Sequence, residues 1–304
     1  MRSYVSLNYA MQIKSTLMLA FFSFFMLSCV STLGCVGCNT NSSRLDGPWS
    51  MKPQESFGLV EVVTKIDPME CMWRSSHAPQ EEKCNLKSLG IASKTATSIG
   101  SSIIVGHQRA AQKTYLLSAA HVCSDAGISM FEYTTPEGKH SAVYVQKSVK
   151  EIQVYDYDGK ARSGRIYRLD IPNDLCIIEA SGVWGKSFKV SSIDPVVGER
   201  TYNVASPHKI WAPGMVLMLE GLYSGRSPEG FYHFTIPARP GSSGSPILNK
   251  RGEIVGVIQR AVAHFENIAI STSTQAIREI VSSLPEDKTP LIEFPSKIEI
   301  IELF

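Results

Sequence analysis

The chain has 304 residues, 30 of them basic and 28 acidic, for a formal net charge of +2. That is enough residues for one large or two small hydrophobic cores. With charge so nearly balanced, and no basic run interleaved with aromatics, the composition excludes an electrostatic case for a nucleic acid partner.

Residues 1–38 read as export information. Arg2 and Lys14 precede an uncharged apolar core at 17–27, and the small residues Ser28, Ser31, Gly34 and Gly37 follow, which is the order of a secretory signal peptide. A retained membrane anchor is the second reading, because the charge-free stretch 15–42 spans a bilayer if it is helical. Lipidation at Cys29, Cys35 or Cys38 is the third and ranks lower, since neither Cys29 nor Cys35 has the leucine that such a site prefers three residues earlier. All three readings place the folded part outside the cytoplasm, as a periplasmic, secreted or membrane-anchored protein. Residues 39–56 are polar, contain Gly47, Pro48 and Pro53, and read as a linker.

The folded part is expected from Phe57, where Leu59, Val60, Val62 and Val63 open a β-rich run. Short strands are predicted at 98–106, 113–118, 141–146, 151–157, 164–169, 175–179, 201–205, 215–222, 230–236, 247–248, 254–259 and 267–271, with turn residues between them. This spacing suits an all-β antiparallel sandwich or barrel, and no alternation with helices suggests a parallel sheet. One helix is predicted, 274–284, capped by Ser273 and carrying Ala276, Ile277, Ile280 and Val281 on one face. Residues 285–304 form a C-terminal extension whose apolar residues pack on the core or on a partner. In an exported chain Cys71 and Cys84 would close a short polar loop as a disulfide. The domain has neither a Cys-x-x-Cys pair nor neighbouring histidines, so no metal and no cofactor are expected.

Three stretches carry chemistry. They are Leu116-Leu117-Ser118-Ala119-Ala120-His121-Val122, then Asn173-Asp174-Leu175-Cys176-Ile177-Ile178, then the glycine-rich turn Ala238-Arg239-Pro240-Gly241-Ser242-Ser243-Gly244-Ser245-Pro246. Ala-Ala-His, Asp-Leu-hydrophobic and Gly-x-Ser-Gly-x-Pro in this order resemble the chymotrypsin-like (trypsin-fold) serine proteases over residues 57–284. The likeness is nearer to compact bacterial and viral-type enzymes and to protease domains of the high-temperature-requirement family, because Gly252-Glu253-Ile254-Val255-Gly256-Val257 follows the serine so soon. The resemblance implies two six-stranded antiparallel barrels, about 57–182 and 195–272. His121 and Asp174 would come from the first, Ser243 from the second. Cys123 and Cys176 each stand two residues past one of these positions, so they are either a bridge behind the site or two buried thiols.

A serine hydroxyl needs a base within hydrogen-bond reach to attack a peptide carbonyl, and histidine is the side chain whose pKa suits that task. A carboxylate on its far nitrogen fixes the tautomer and stabilises the imidazolium. His121, Asp174 and Ser243 are the candidates, with Asp170 and Ser242 as rivals that the family pattern ranks lower. By the same resemblance, the amides of Gly241 and Ser243 form an oxyanion hole, and Gly241→Val is expected to fold but to lose nearly all turnover. An α/β-hydrolase elbow does not fit, because Ser245 replaces its second glycine and the histidine comes first.

Pro237 stands where trypsin-type enzymes carry the aspartate that selects Lys or Arg, so that preference is not expected. Pro237, Ala238 and Arg239 would floor the specificity pocket, and Gln259, Arg260 and Ala261 would wall it and pair with the substrate backbone. A small or medium apolar residue is expected before the scissile bond, and Arg260 is either an attractor of acidic groups or an outward, solvated side chain. Ser242 stands where digestive proteases carry the aspartate of their activation switch, so no such switch is expected. The function implied is a serine endopeptidase acting on protein or peptide substrates. The alternative is a catalytically silent binding or adhesion protein on the same fold.

Overall fold

Strands built from β-branched and aromatic residues bury their apolar faces only by pairing, and here every strand pairs antiparallel. The computed structural model describes residues 52–74, 82–87, 90–124, 127–134, 140–262 and 265–287. The first half contains β1 (Phe57–Arg74), β2 (Glu82–Lys83), β3 (Lys94–Gln108), β4 (Lys113–Ser118), the single helical turn α1 (Ala120–Cys123), β5 (Gly127–Thr134), β6 (His140–Tyr155), β7 (Ala161–Asp170) and β8 (Leu175–Ser181). The second contains β9 (Arg200–Ala205), β10 (Trp211–Ala212), β11 (Met215–Arg226), β12 (Tyr232–Phe234), β13 (Pro246–Leu248), β14 (Ile254–Val262), β15 (Phe265–Ser271) and α2 (Thr274–Val281).

The sheets close on themselves. In the first, the order β1-β3-β4-β8-β7-β6 returns from β6 to β1, with β2 and β5 added outside the ring. In the second, β9-β13-β14-β15-β12-β11 returns from β11 to β9, with β10 appended. The result is two closed six-stranded antiparallel barrels and a C-terminal helix. Closure pairs the ring strands along most of their length and so leaves few free edges that would invite aggregation. Val60, Ile104, Leu116, Val154 and Ile178 fill the first barrel, and Tyr232, Phe234, Ile236, Val255 and Ala269 fill the second.

A third cluster joins the barrels. Ile103, Leu117 and Ile177 of the first, Leu248 and Val257 of the second, Phe188 of the connection and Ile277 of α2 pack together, each essentially fully buried. Backbone bonds fasten the connection to both sides: Phe188 N–H donates to Ile104 O at 2.8 Å, and Ser191 N–H to Ile254 O at 2.9 Å. The Arg278 guanidinium of α2 adds a bond to Ser191 O at 2.8 Å.

Several strands run longer than the sequence pattern suggests. β6 is one strand where two were predicted, because a register shift between Val63 and Thr64 loops out Lys150 and lets pairing with β1 continue. β1 likewise passes Pro68, which stays opposite Val145, and a second shift just after it leaves Met69 without a partner in the ladder. β5 was not predicted, since Ile128, Met130 and Phe131 are all exposed and give no alternating face. α2 stops at Val281, short of the predicted 284. The Ser282 and Ser283 hydroxyls bond back to Glu279 O and Ile280 O, and Leu284 precedes Pro285, a position that disfavours helix.

Both cysteine pairs are bonded, Cys71 to Cys84 and Cys123 to Cys176. Pro53 and Ser56, assigned to the linker from sequence, are buried on the barrel, and Ser56 Oγ accepts Lys186 N–H at 3.0 Å. The expected export segment and residues 288–304 lie outside the described residues. Among the described residues, no helix is long and apolar enough to cross a membrane.

Candidate active site

His121 is held by what surrounds it in α1. Ala120, Val122 and Cys123 are buried, Cys123 is bonded to Cys176, and the short turn leaves the imidazole half exposed beside them. Opposite it, residues 171–174 turn back, with Asp174 N–H donating to Ile171 O at 3.1 Å and Asp174 itself at φ +50°. The Asp174 carboxylate accepts from the His121 backbone N–H at 2.9 Å and from His121 Nδ1 at 2.8 Å, while the Asp174 carbonyl accepts Ala120 N–H at 3.2 Å. A carboxylate only accepts, so Nδ1 carries the hydrogen and Nε2 keeps its lone pair. The rival Asp170 is spent on Asn173, accepting from its backbone N–H and its side-chain amide.

The serine turn separates its three hydroxyls by accessibility. Ser242 and Ser245 are fully buried; Ser242 Oγ accepts Arg239 N–H, and Ser245 Oγ accepts the Asn203 amide. Ser243 alone of the three is partly exposed. Its Oγ donates to Gln259 O at 3.3 Å, not to the imidazole. The structure therefore brings His121 and Asp174 into direct contact, with Ser243 bonded to Gln259, a residue of the same cavity.

Two amides in this turn have no acceptor among the described residues. Pro240 O accepts His208 N–H at 2.6 Å, and Ser242 O accepts Ser245 N–H at 3.0 Å. Because these peptides are trans, the N–H groups of Gly241 and Ser243 point opposite to those occupied carbonyls. Ser101 on β3 fixes the adjoining peptides, with its Oγ–H donating to Gly241 O and its N–H to Ser243 O, both at 2.8 Å. Gly241 sits at φ +96°, where a Cβ would come within 2.5 Å of Ser206 O. Any side chain at 241 therefore strains the backbone, so the expectation that Gly241→Val would simply fold gives way to a loss of stability as well.

Between the barrels lies a cavity of about 460 Å³ lined by His121, Ile171, Pro172, Asp174, Phe231, Gln259 and Arg260. The Gln259 side chain crosses it to donate to Asn173 O at 2.6 Å. Of the six residues expected to contact substrate, Gln259 and Arg260 line this cavity, and the other four lie elsewhere. Ala238 is buried in the second-barrel core and Ala261 packs against that core, while Pro237 and Arg239 are exposed on the turn. Ile171, Pro172, Phe231 and Ser101 carry no motif of their own, and only the folded chain brings them to the site.

Comparison with solved structures finds a serine endoprotease from Yersinia pestis at 15% sequence identity and a TM-score of 0.47, covering 73% of this chain. The chain spans 61% of that protein's length. A search of curated proteins gives no match. The family model of the trypsin-like peptidase domain matches residues 100–257, a stretch that begins beside Ser101 and ends past the serine turn. That is just over half of the 304 residues, and the chain belongs to the trypsin-like peptidase domain family.

Proposed function

We propose that the protein is a serine endopeptidase in which His121 is the general base, Asp174 its orienting carboxylate and Ser243 the nucleophile. The observation that carries this reading is the Asp174 carboxylate bonded to both the backbone and the Nδ1 of His121, which leaves Nε2 free to accept a proton. In the reaction Ser243 Oγ turns from Gln259 O toward Nε2 and attacks the substrate carbonyl as the imidazole takes its hydrogen. The oxygen that becomes negative is received by the N–H groups of Gly241 and Ser243. The imidazolium protonates the leaving amine, the peptide bond breaks, and an acyl ester remains on Ser243. Water, deprotonated by His121, then hydrolyses that ester and regenerates the hydroxyl.

The cleft side of β14 supports a peptide substrate. β13 pairs β14 only up to Val257, while β15 continues along the other side through Val262, so the edge from Gln259 onward is open to an added strand. Two disulfides suit an oxidising, extracytoplasmic compartment, in keeping with an export role for residues 1–38 and with 39–51 as a tether. The second reading, a silent binding protein, draws on the Ser243 hydroxyl resting on Gln259 O.

Fluorophosphonate labelling decides between them. A stoichiometric adduct on the parent, absent in Ser243→Ala, together with cleavage of an unfolded protein substrate, is the expected result. No adduct on a folded parent protein would end the peptidase reading.

A further inference from the structure

Among the described residues that line the cavity, Arg260, itself exposed, is the charged group without a carboxylate partner. His121 and Asp174 neutralise each other's demands through their hydrogen bonds. Among the described residues no carboxylate pairs with Arg260. Its guanidinium instead lies over the Phe231 ring, 4.8 Å from the centroid. Stacking restricts the long side chain without discharging it, so less rotamer entropy is lost when it binds an anion. Ile171 and Pro172 supply the apolar part of the lining. A cavity with one anchored cation and aliphatic walls suits a short side chain that has methylenes below and a carboxylate at its tip.

Strand geometry says where along a substrate that side chain lies. β14 runs away from Ser243 as it passes from Gln259 to Val262. A peptide added antiparallel, as all strand pairs here are, therefore lays the residues upstream of the scissile bond beside Arg260. Side chains alternate along an extended strand, so the residue before the scissile bond and the one before that point to opposite sides. The latter is the upstream side chain nearest a cavity shared with His121.

Resting on the peptidase reading above, we infer that Arg260, on its Phe231 platform, selects substrates with Glu or Asp two residues before the scissile bond. The test uses two fluorogenic peptides that differ only in Glu or Gln at that position. The parent enzyme should cleave the Glu peptide with about fivefold higher kcat/KM, the size of a partly exposed ion pair, and added salt should narrow the gap. Arg260→Gln should bring the ratio to about one, and Arg260→Glu should turn the preference toward a third peptide with Lys there.

Equal rates for Glu and Gln in the parent, or a ratio unmoved in Arg260→Gln, would overturn the inference while leaving the peptidase reading intact. The converse failure is read by fluorescence anisotropy on Ser243→Ala. A Glu-over-Gln preference in binding, with no turnover by the parent, would keep the acidic subsite and discard the peptidase; no preference in binding would discard the subsite.

Discussion

Asp174 adopts a left-handed backbone, φ +50°, that costs most residues about 1–2 kcal/mol but that Asp and Asn tolerate. Asp174→Asn should therefore keep the 171–174 turn, and thermal melting should place it close to the parent. Its amide can no longer hold Nδ1–H in the useful tautomer, so kcat should fall by about 10⁴-fold. Ser101 acts one step further from the chemistry. It bonds Gly241 O and Ser243 O of the turn and also accepts Ser206 N–H, but touches no atom that reacts in the proposed mechanism, where it would serve as a positioning residue. Ser101→Ala removes the bond to Gly241 O and should cost about 1–2 kcal/mol of transition-state stabilisation, a fall in kcat of roughly five- to thirtyfold with KM little changed. A peptide boronate, which mimics the tetrahedral state, should lose affinity in the same proportion, whereas a change confined to stability would leave that affinity alone.

Glu179 shows how strands of the first barrel are tied together by charge. It projects from β8, is nearly buried, and pairs with Arg165 of β7 at 2.8 Å and Lys113 of β4 at 3.1 Å. The Arg165 hydrogen bond holds its carboxyl below the usual range; burial opposes this and Lys113 assists. Beside it, burial first and then the Glu179 charge push the Tyr115 hydroxyl up to about 12. A depressed carboxyl pKa means the unfolded chain binds the proton more readily. The stabilisation is thus present above the unfolded value near 4.5 and disappears as pH falls through the lower folded one. Glu179→Gln should cost about 1–3 kcal/mol at neutral pH. Urea melts should show that the gap from the parent closes at acid pH, and a gap independent of pH would contradict the ion-pair account.

The groups proposed for catalysis are divided between two barrels, so in that mechanism whatever holds the barrels together also sets the distance over which the proton must move. Ile277 of α2 is fully buried in the cluster that joins them. Ile277→Ala should destabilise by about 2–5 kcal/mol, the range for deleting a buried aliphatic side chain. Because the cluster includes residues of both barrels, the variant should still melt in one transition, with fluorophosphonate labelling lost at the same temperature as secondary structure. Two separated transitions would mean that the barrels are held independently.

Local chemistry made much of this legible in the sequence. Ser273 caps α2 through Ala276 N–H, apolar runs mark the strands, and three short motifs put His, Asp and Ser in one order; each of these signals is complete within a few residues. Barrel closure, the Lys150 bulge and the Cys123–Cys176 bond depend on partners far outside any local motif. So do the burial of Ser242 beside an accessible Ser243, the resting bond of Ser243 to Gln259, and the stacking of Arg260 on Phe231. No local pattern encodes such pairs, because their energies arise only when the sheets close and exclude water. The sequence by itself determined which groups are available for chemistry, and the tertiary structure decided which of them are reachable, oriented and left unpaired.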